Sequence, residues 1–307
     1  MKFTVNIPID HADPPGEFQT PEACRDMALA IERAGFDSCF VTDHPAPTVE
    51  WRASPEGHDA LDPFAALAFV AAQTSRLKVY ACVVILPYRN PFLVAKAAAT
   101  LQALSNGRFI MGVAVGYARG EFEALGVDPK KRGALTDEAL ETLRLIWRGE
   151  PVTKRGISFN AVNIQPRPNP EPAPPIWVGG GSDKAVVRAA KYGDGWAPFF
   201  GRPDGGSGVV AETALTSLED FTDKLARLHD LRAEAGHDGP FDVILAARYR
   251  PKASTREEAD RYIEAVSQLA DLGVTWTSAP VHGRDRSAFL ERVQWFGEEV
   301  IARMRKE

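Results

Sequence analysis

A chain of 307 residues and 33.5 kDa, 45% hydrophobic and 25% charged, has the composition of a folded protein with a large core, which excludes a disordered one. Its net charge of −5 and pI near 5.8 remove the electrostatic case for nucleic acid, so a small molecule is the expected partner. Cys24, Cys39 and Cys82 stand far apart in apolar surroundings without a CxxC unit, which predicts reduced thiols and no metal cluster.

The first β-rich run, 3–7, opens directly after Met1 and Lys2 and leaves no stretch for a secretory signal. The longest apolar stretches, such as 65–72, fall short of a membrane span. The expected compartment is the cytoplasm, with no membrane partner. Further strands are predicted at 39–42, 78–84, 109–115, 176–178, 196–200, 242–248 and 274–279. Most are continuous apolar runs, as strands of a parallel sheet covered on both faces should be. Amphipathic helices fall between them. Thr20-Pro21, Asp62-Pro63 and Asn90-Pro91 each pair an N-cap side chain with a proline at the first helical position. Thr255 and Glu258 have capping-box spacing ahead of the stripe Ala259, Tyr262, Ile263, Val266 and Leu269. Gly35 and Gly273 stand where helix ends favour a left-handed residue.

Eight strand-helix units with right-handed crossovers make either a closed barrel or an open doubly wound sheet, and the count of eight favours closure. The first loop, Pro8-Ile9-Asp10-His11, lacks the GxGxxG that an open dinucleotide-binding sheet would carry. The expected fold is therefore a TIM-type (β/α)8 barrel with insertion loops, a single domain over 1–307. One insertion, 165–175, holds six prolines in eleven residues and should be an extended connection, after a short possible hairpin at 156–164. The glycine-rich 201–209 could be a mobile lid or an ordinary surface loop.

In such a barrel the chemistry sits at the carboxyl ends of the strands. The second strand exits through Asp43-His44, where an imidazole beside a carboxylate could exchange protons, or the pair could simply cap the next segment. The fourth exits through Gly116-Tyr117-Ala118-Arg119-Gly120-Glu121, whose glycines allow a sharp turn over a planar ring. Glu121 and Glu123 could form an acid pair, but more often such residues populate the solvated first turn of a helix. The fifth leads through Gly179-Gly180-Gly181-Ser182 into a helix whose N-terminus suits a phosphate, the alternative being a tight turn with Ser182 as a plain N-cap. HExxH, Walker and GxSxG motifs are absent from the sequence.

Several blocks together resemble the luciferase-like oxidoreductases. They are Gly35-Phe36-Asp37-Ser38 running into Val41-Thr42-Asp43-His44, Leu86-Pro87-Tyr88-Arg89-Asn90-Pro91, Leu104-Ser105-Asn106-Gly107-Arg108, and Pro174-Pro175-Ile176-Trp177-Val178-Gly179-Gly180 followed by Gly193-Asp194-Gly195-Trp196. The match holds over about residues 1–200, and the pattern is nearest to the branch that uses the deazaflavin coenzyme F420. The resemblance implies a cofactor phosphate against Gly179, Gly180, Gly181 and Ser182, with Asp43 and His44 near the redox-active ring and Gly116 and Tyr117 beside it. It also implies a non-proline cis peptide in the third strand, near Ala81, Cys82 or Val83, and a homodimer. The implied reaction is hydride transfer to or from a small organic substrate, with His44 managing the proton. The rival within the family is an FMN-dependent two-component monooxygenase served by a separate flavin reductase; outside it, a non-catalytic flavin-binding barrel. Sugar-phosphate dehydrogenases of the F420 branch carry a carboxylate after the glycine matching Gly116 and an aromatic residue shortly after the histidine. Tyr117 and Thr48 hold those places here, which counts against a sugar phosphate.

Overall fold

The computed structural model describes residues 1–10, 16–54, 57–201 and 213–306. Its strands are β1 (Lys2–Asn6), β2 (Ser38–Val41), β3 (Lys78–Ile85), β4 (Phe109–Ala114), β5 (Val152–Arg155), β6 (Asn160–Ile164), β7 (Ile176–Gly179), β8 (Gly195–Ala197), β9 (Asp242–Val243) and β10 (Trp276–Ala279). Eight of them form one parallel sheet in the order β10-β1-β2-β3-β4-β7-β8-β9, and β5 with β6 makes a separate antiparallel hairpin. An isolated parallel bridge between Ile244 and Trp276, with Leu245 N–H donating to the Trp276 carbonyl at 3.1 Å, brings the two edges together. This is the nearly closed TIM barrel expected from eight alternating units.

The start signals work as read. Thr20 accepts from Ala23 N–H, Asp62 from Phe64 and Ala65 N–H, and Asn90 from Phe92 N–H, which satisfies amides that have no partner inside their own helices. Thr255 caps its helix, but Glu258 does not complete a capping box; its carboxylate takes the Lys252 amide and the Tyr249 hydroxyl instead. The seventh barrel strand is shorter than the expected 242–248. Its neighbour β8 ends at Ala197, so residues beyond Ile244 have no ladder to join on that side. The proline-rich 165–175 runs along the helix Pro91–Leu104, where Gln102 donates to the Pro172 carbonyl and Lys96 to that of Arg167. Most of the lid suggested at 201–209 lies outside the described residues. Among the described residues no helix is long and apolar enough to cross a membrane.

One loop has a pH-dependent anchor. At the end of the helix Pro21–Arg33, partial burial works against ionisation of Glu32. The Arg76, Leu77 and Ser75 amides and the Ser75 hydroxyl outweigh it and hold the carboxyl below its ordinary range. A depressed carboxyl stabilises the fold above its unfolded pKa and loses that contribution as pH falls through the folded value. Glu32→Gln should therefore cost about 1–2 kcal/mol at pH 7, after allowance for solvent screening. The difference from the parent should vanish in denaturation curves taken well below the carboxylate range, and a pH-independent difference would refute the anchor.

The barrel interior is built in two layers, and this places the cavity. Strand residues two apart face the same side. Tyr80, Ile110, Trp177, Ile244 and Trp276 point inward and pack together, with edge-on contacts of 4.9 Å between Tyr80 and Trp177 and 5.1 Å between Trp177 and Trp276. Two residues further along these strands stand Cys82, Gly112, Gly179, Ala246 and Ser278. Bulk at the floor followed by small side chains above it leaves the barrel mouth hollow.

Candidate active site

The hollow is a cavity of about 330 Å³. Its walls are Val83, Ile85, Ala114, Val115, Ala197, Pro198 and Phe199, with Tyr80, Ile244, Cys82 and Ser278 toward the floor. The peptide bond between Cys82 and Val83 is cis, at one of the positions expected, and the β3–β4 register shifts between Ala81 and Val84. Cys82 and Val83 line the cavity, but Ala81 does not; it is fully buried on the other face of β3. Burial pushes the Cys82 thiol up to about 11, so it is neutral at ordinary pH.

Gly116, Tyr117, Gly179, Gly180 and Ser182 also line the cavity. At Gly116 the backbone has φ +77°, and a Cβ would stand 2.6 Å from Ile85 Cγ2. Only glycine makes this turn, which sends the helix Arg119–Ala124 back toward β2. Gly180 has φ +102°. The amides of Gly180 and Gly181 are spent on the Ala197 and Thr213 carbonyls, and Gly181 packs behind the cavity against Leu215. Of the four residues expected against a phosphate, Gly181 lies away from the cavity, and neither it nor Gly180 has an amide left to donate. What remains for an anion is the Ser182 hydroxyl and the first amides of the helix Asp183–Tyr192, which have no intrahelical partner.

Beyond Ser182 the cavity adjoins an open crevice lined by Lys130, Arg132, Lys184, Arg188 and Arg227 against Asp137 and Asp183. Ser182, Arg188, Val115 and Thr213 belong to both. Arg188 is paired with Asp137 at 2.5 Å and Arg227 with Asp183 at 3.3 Å. The local field is thus positive where the apolar slot ends. Sequence reading missed this crevice, because its cations come from three separate segments with no motif.

Asp43 and His44 part company. Asp43 is 4% exposed, and its two oxygens take both Nη groups of Arg89, at 2.5 and 2.7 Å, and the Ile85 amide at 3.0 Å. It does not line the cavity, so its work is to tie the end of β2 to the end of β3. The carboxylate on His44 is instead Glu121, whose Oε2 lies 3.3 Å from Nδ1. Glu121 is 1% exposed, contrary to the solvated helix turn favoured from sequence, while Glu123 does stand in water paired with Arg119. Glu121 also accepts from the Ala46 amide at 3.2 Å and the Tyr88 hydroxyl at 3.1 Å. Burial, and then Glu121 itself, hold the Tyr88 phenol far above its usual range, so it remains a donor.

Trp51, on the short helix Val49–Arg52, lies over the His44 ring with centroids 4.1 Å apart. The aromatic neighbour missing at Thr48 is thus supplied three residues later, and the carboxylate missing at Tyr117 is supplied one helical turn later. His44 keeps 11% of its side chain accessible and meets the cavity-lining Tyr117 edge-on at 6.1 Å. Like Asp43, His44 does not itself line the cavity; Tyr117 stands between the two. Among the described residues no group of three or more His, Cys, Asp or Glu could hold a metal ion.

A nearly closed parallel barrel with an apolar slot at its mouth, a basic crevice beside it and a carboxylate-bound histidine behind Tyr117 is the arrangement that comparison with known proteins places in an oxidoreductase family. The chain belongs to the luciferase-like monooxygenase family, whose model matches residues 1–306. It is 33% identical over 259 residues to an F420-dependent glucose-6-phosphate dehydrogenase of Kineococcus radiotolerans, covering 83% of this chain and 70% of that protein. Among solved structures it resembles the monooxygenase RslO1 of Streptomyces bottropensis (TM-score 0.78, 20% identity, 99% of this chain and 100% of that one). It also resembles an F420-dependent secondary alcohol dehydrogenase in complex with an F420-acetone adduct (TM-score 0.74, 18% identity, 98% of each). These structural likenesses show the shared fold.

Proposed function

We propose that this protein is an F420-dependent oxidoreductase acting on a small, uncharged organic substrate such as a carbonyl, an alcohol or an activated alkene. The observation that carries the reading is the junction of the apolar slot with the basic crevice. A deazaflavin with a long anionic side chain would use both, whereas the single phosphate of FMN needs only the Ser182 end. The slot's small side chains fit a flat ring. Bound F420 supplies a two-electron carbon centre, and the protein supplies orientation, exclusion of water and the proton. Val83, Ala114 and Gly179 would hold the ring, Ser182 the phosphate, and Lys130, Lys184 and Arg132 the acidic tail, with His44 moving a proton from behind Tyr117.

The substrate class follows from charge. Among the described residues the only cation lining the cavity is Arg188, and it is committed to Asp137. A phosphorylated sugar would meet no free counterion there, which supports an uncharged substrate although the Kineococcus relative acts on a sugar phosphate by name. The FMN-dependent reading, with a flavin reductase as partner, keeps the same Ser182 anion site and is the alternative; sedimentation velocity tests the homodimer.

Titration of the apoprotein with each cofactor decides the central point, with bound deazaflavin absorbing near about 420 nm and flavin near about 450 nm. F420 should bind the more tightly. Replacing both Lys130 and Lys184 by Glu should weaken F420 on the order of ten-fold at low salt and leave FMN within about two-fold, since each exposed charge contributes up to ~1 kcal/mol. Equal losses for the two cofactors would remove the tail assignment.

A further inference from the structure

We propose that Glu121 is a positioning residue that holds His44 as its Nδ1–H tautomer, so that Nε2 is the atom offered to the substrate. The proposal rests on the reading of His44 as the proton-transfer group. Nothing in the sequence links residues 44 and 121, which lie 77 positions apart; the turn at Gly116 brings them together.

The argument is an inventory of donors. Glu121 is almost wholly removed from water, at 1% exposure, so its lone pairs must be met by protein groups. An amide N–H can only donate, and Ala46 donates to Oε1. The Tyr88 phenol, kept protonated by burial and by the carboxylate, donates to Oε2. The third contact, also on Oε2, is His44 Nδ1. A carboxylate in this setting accepts from every side, so Nδ1 must carry the hydrogen, and in the neutral imidazole the lone pair then belongs to Nε2. Nε2 has no partner among the described residues. Asp43 cannot serve instead, because Arg89 occupies both its oxygens.

Glu121 also fixes the ring's orientation. It grips the chain on the far side of the histidine through Ala46, and Trp51 lies over the ring while His58 meets it edge-on at 5.0 Å. His58 is itself 2.9 Å from Thr42 Oγ1, so the platform is tied back to the end of β2. With the ring plane set by aromatic contacts and the tautomer by the carboxylate, one nitrogen remains for chemistry.

The test compares Glu121→Gln with Glu121→Leu in the full-length chain. Glutamine keeps the shape and one oxygen for Nδ1–H; leucine removes the acceptor. Long-range 15N–1H spectra without cofactor, with His44→Gln to assign the resonances, should show His44 protonated at Nδ1 in the parent and in Glu121→Gln. In Glu121→Leu the population should shift toward Nε2–H. With cofactor and substrate, kcat should fall about 100-fold in Glu121→Leu and less than about ten-fold in Glu121→Gln, with KM and cofactor affinity within about two-fold of the parent in both. A parent His44 protonated at Nε2 would overturn the proposal, as would a Glu121→Leu variant with its tautomer and kcat intact. So would equal kcat losses in two variants that both keep the parent tautomer, which would mark a merely structural role. The spectra need neither cofactor nor turnover, so failure of the F420 reading would leave a distinct result.

Discussion

His44→Ala should lower kcat by roughly 10²- to 10⁴-fold while leaving the cofactor dissociation constant within about two-fold of the parent. The split follows from where the residue stands. The cavity walls that would hold a flat ring come from β3, β4 and β7, and the anion site from the start of the helix Asp183–Tyr192; His44 belongs to neither. It stands behind Tyr117, bound through Nδ1 to Glu121 and covered by Trp51. Removing the imidazole would delete the proposed proton carrier without touching the slot. Titration followed by steady-state kinetics checks both halves, and unchanged turnover would take His44 out of the mechanism. Asp43→Asn should behave differently, with thermal stability falling along with activity, because the half-buried Arg89 would lose the nearer of its two counter-charges and keep only Asp62 at 3.7 Å.

The second large effect is expected at the glycine turn. Gly180 lines the cavity at φ +102°, a conformation that a β-branched residue does not adopt without strain. Gly180→Val should therefore deform the turn that aims Ser182 and the helix start, and weaken cofactor binding on the order of 100-fold. Ser182→Gly separates the hydroxyl's contribution from the helix it caps. Glycine at an N-cap costs only a few tenths of a kcal/mol, so a loss of about ten-fold in cofactor affinity with little change in melting temperature would belong to the hydroxyl. Calorimetric titration of the two variants against the parent gives the answer. Unaltered dissociation constants in both would move the anion site elsewhere.

Asp43 and Glu121 together show how a site can be half legible. The pair Asp43-His44 was visible as an acid and an imidazole at a strand exit, and that location is correct. The partnership is not, because a residue's neighbour in sequence points to the opposite side of an extended chain. Asp43 turns to Arg89 and Ile85 on β3 and its sequel, and His44 to a carboxylate on the segment after β4. Glu121 and Glu123 looked alike in sequence, two acids near a helix start; burial alone separates them. The large-to-small steps Trp177 to Gly179, Tyr80 to Cys82 and Trp276 to Ser278 were a signal available in the sequence. Read at a period of two, they mark an aromatic floor beneath a hollow.

The sequence by itself determined the eight strand-helix units, their capped starts, the glycine turns and, through those blocks, the family. Each depends on interactions within a few residues, such as side-chain alternation, an N-cap or a positive φ, and local forces of that kind are written along the chain. Only the tertiary structure decided that His44 binds Glu121 rather than Asp43, that Trp51 covers the ring, and that cations from three segments line one crevice. Apart from Trp51, seven residues beyond His44, those contacts join residues tens of positions apart. Closing the barrel fixes their distances, and burial decides which charges must be paired.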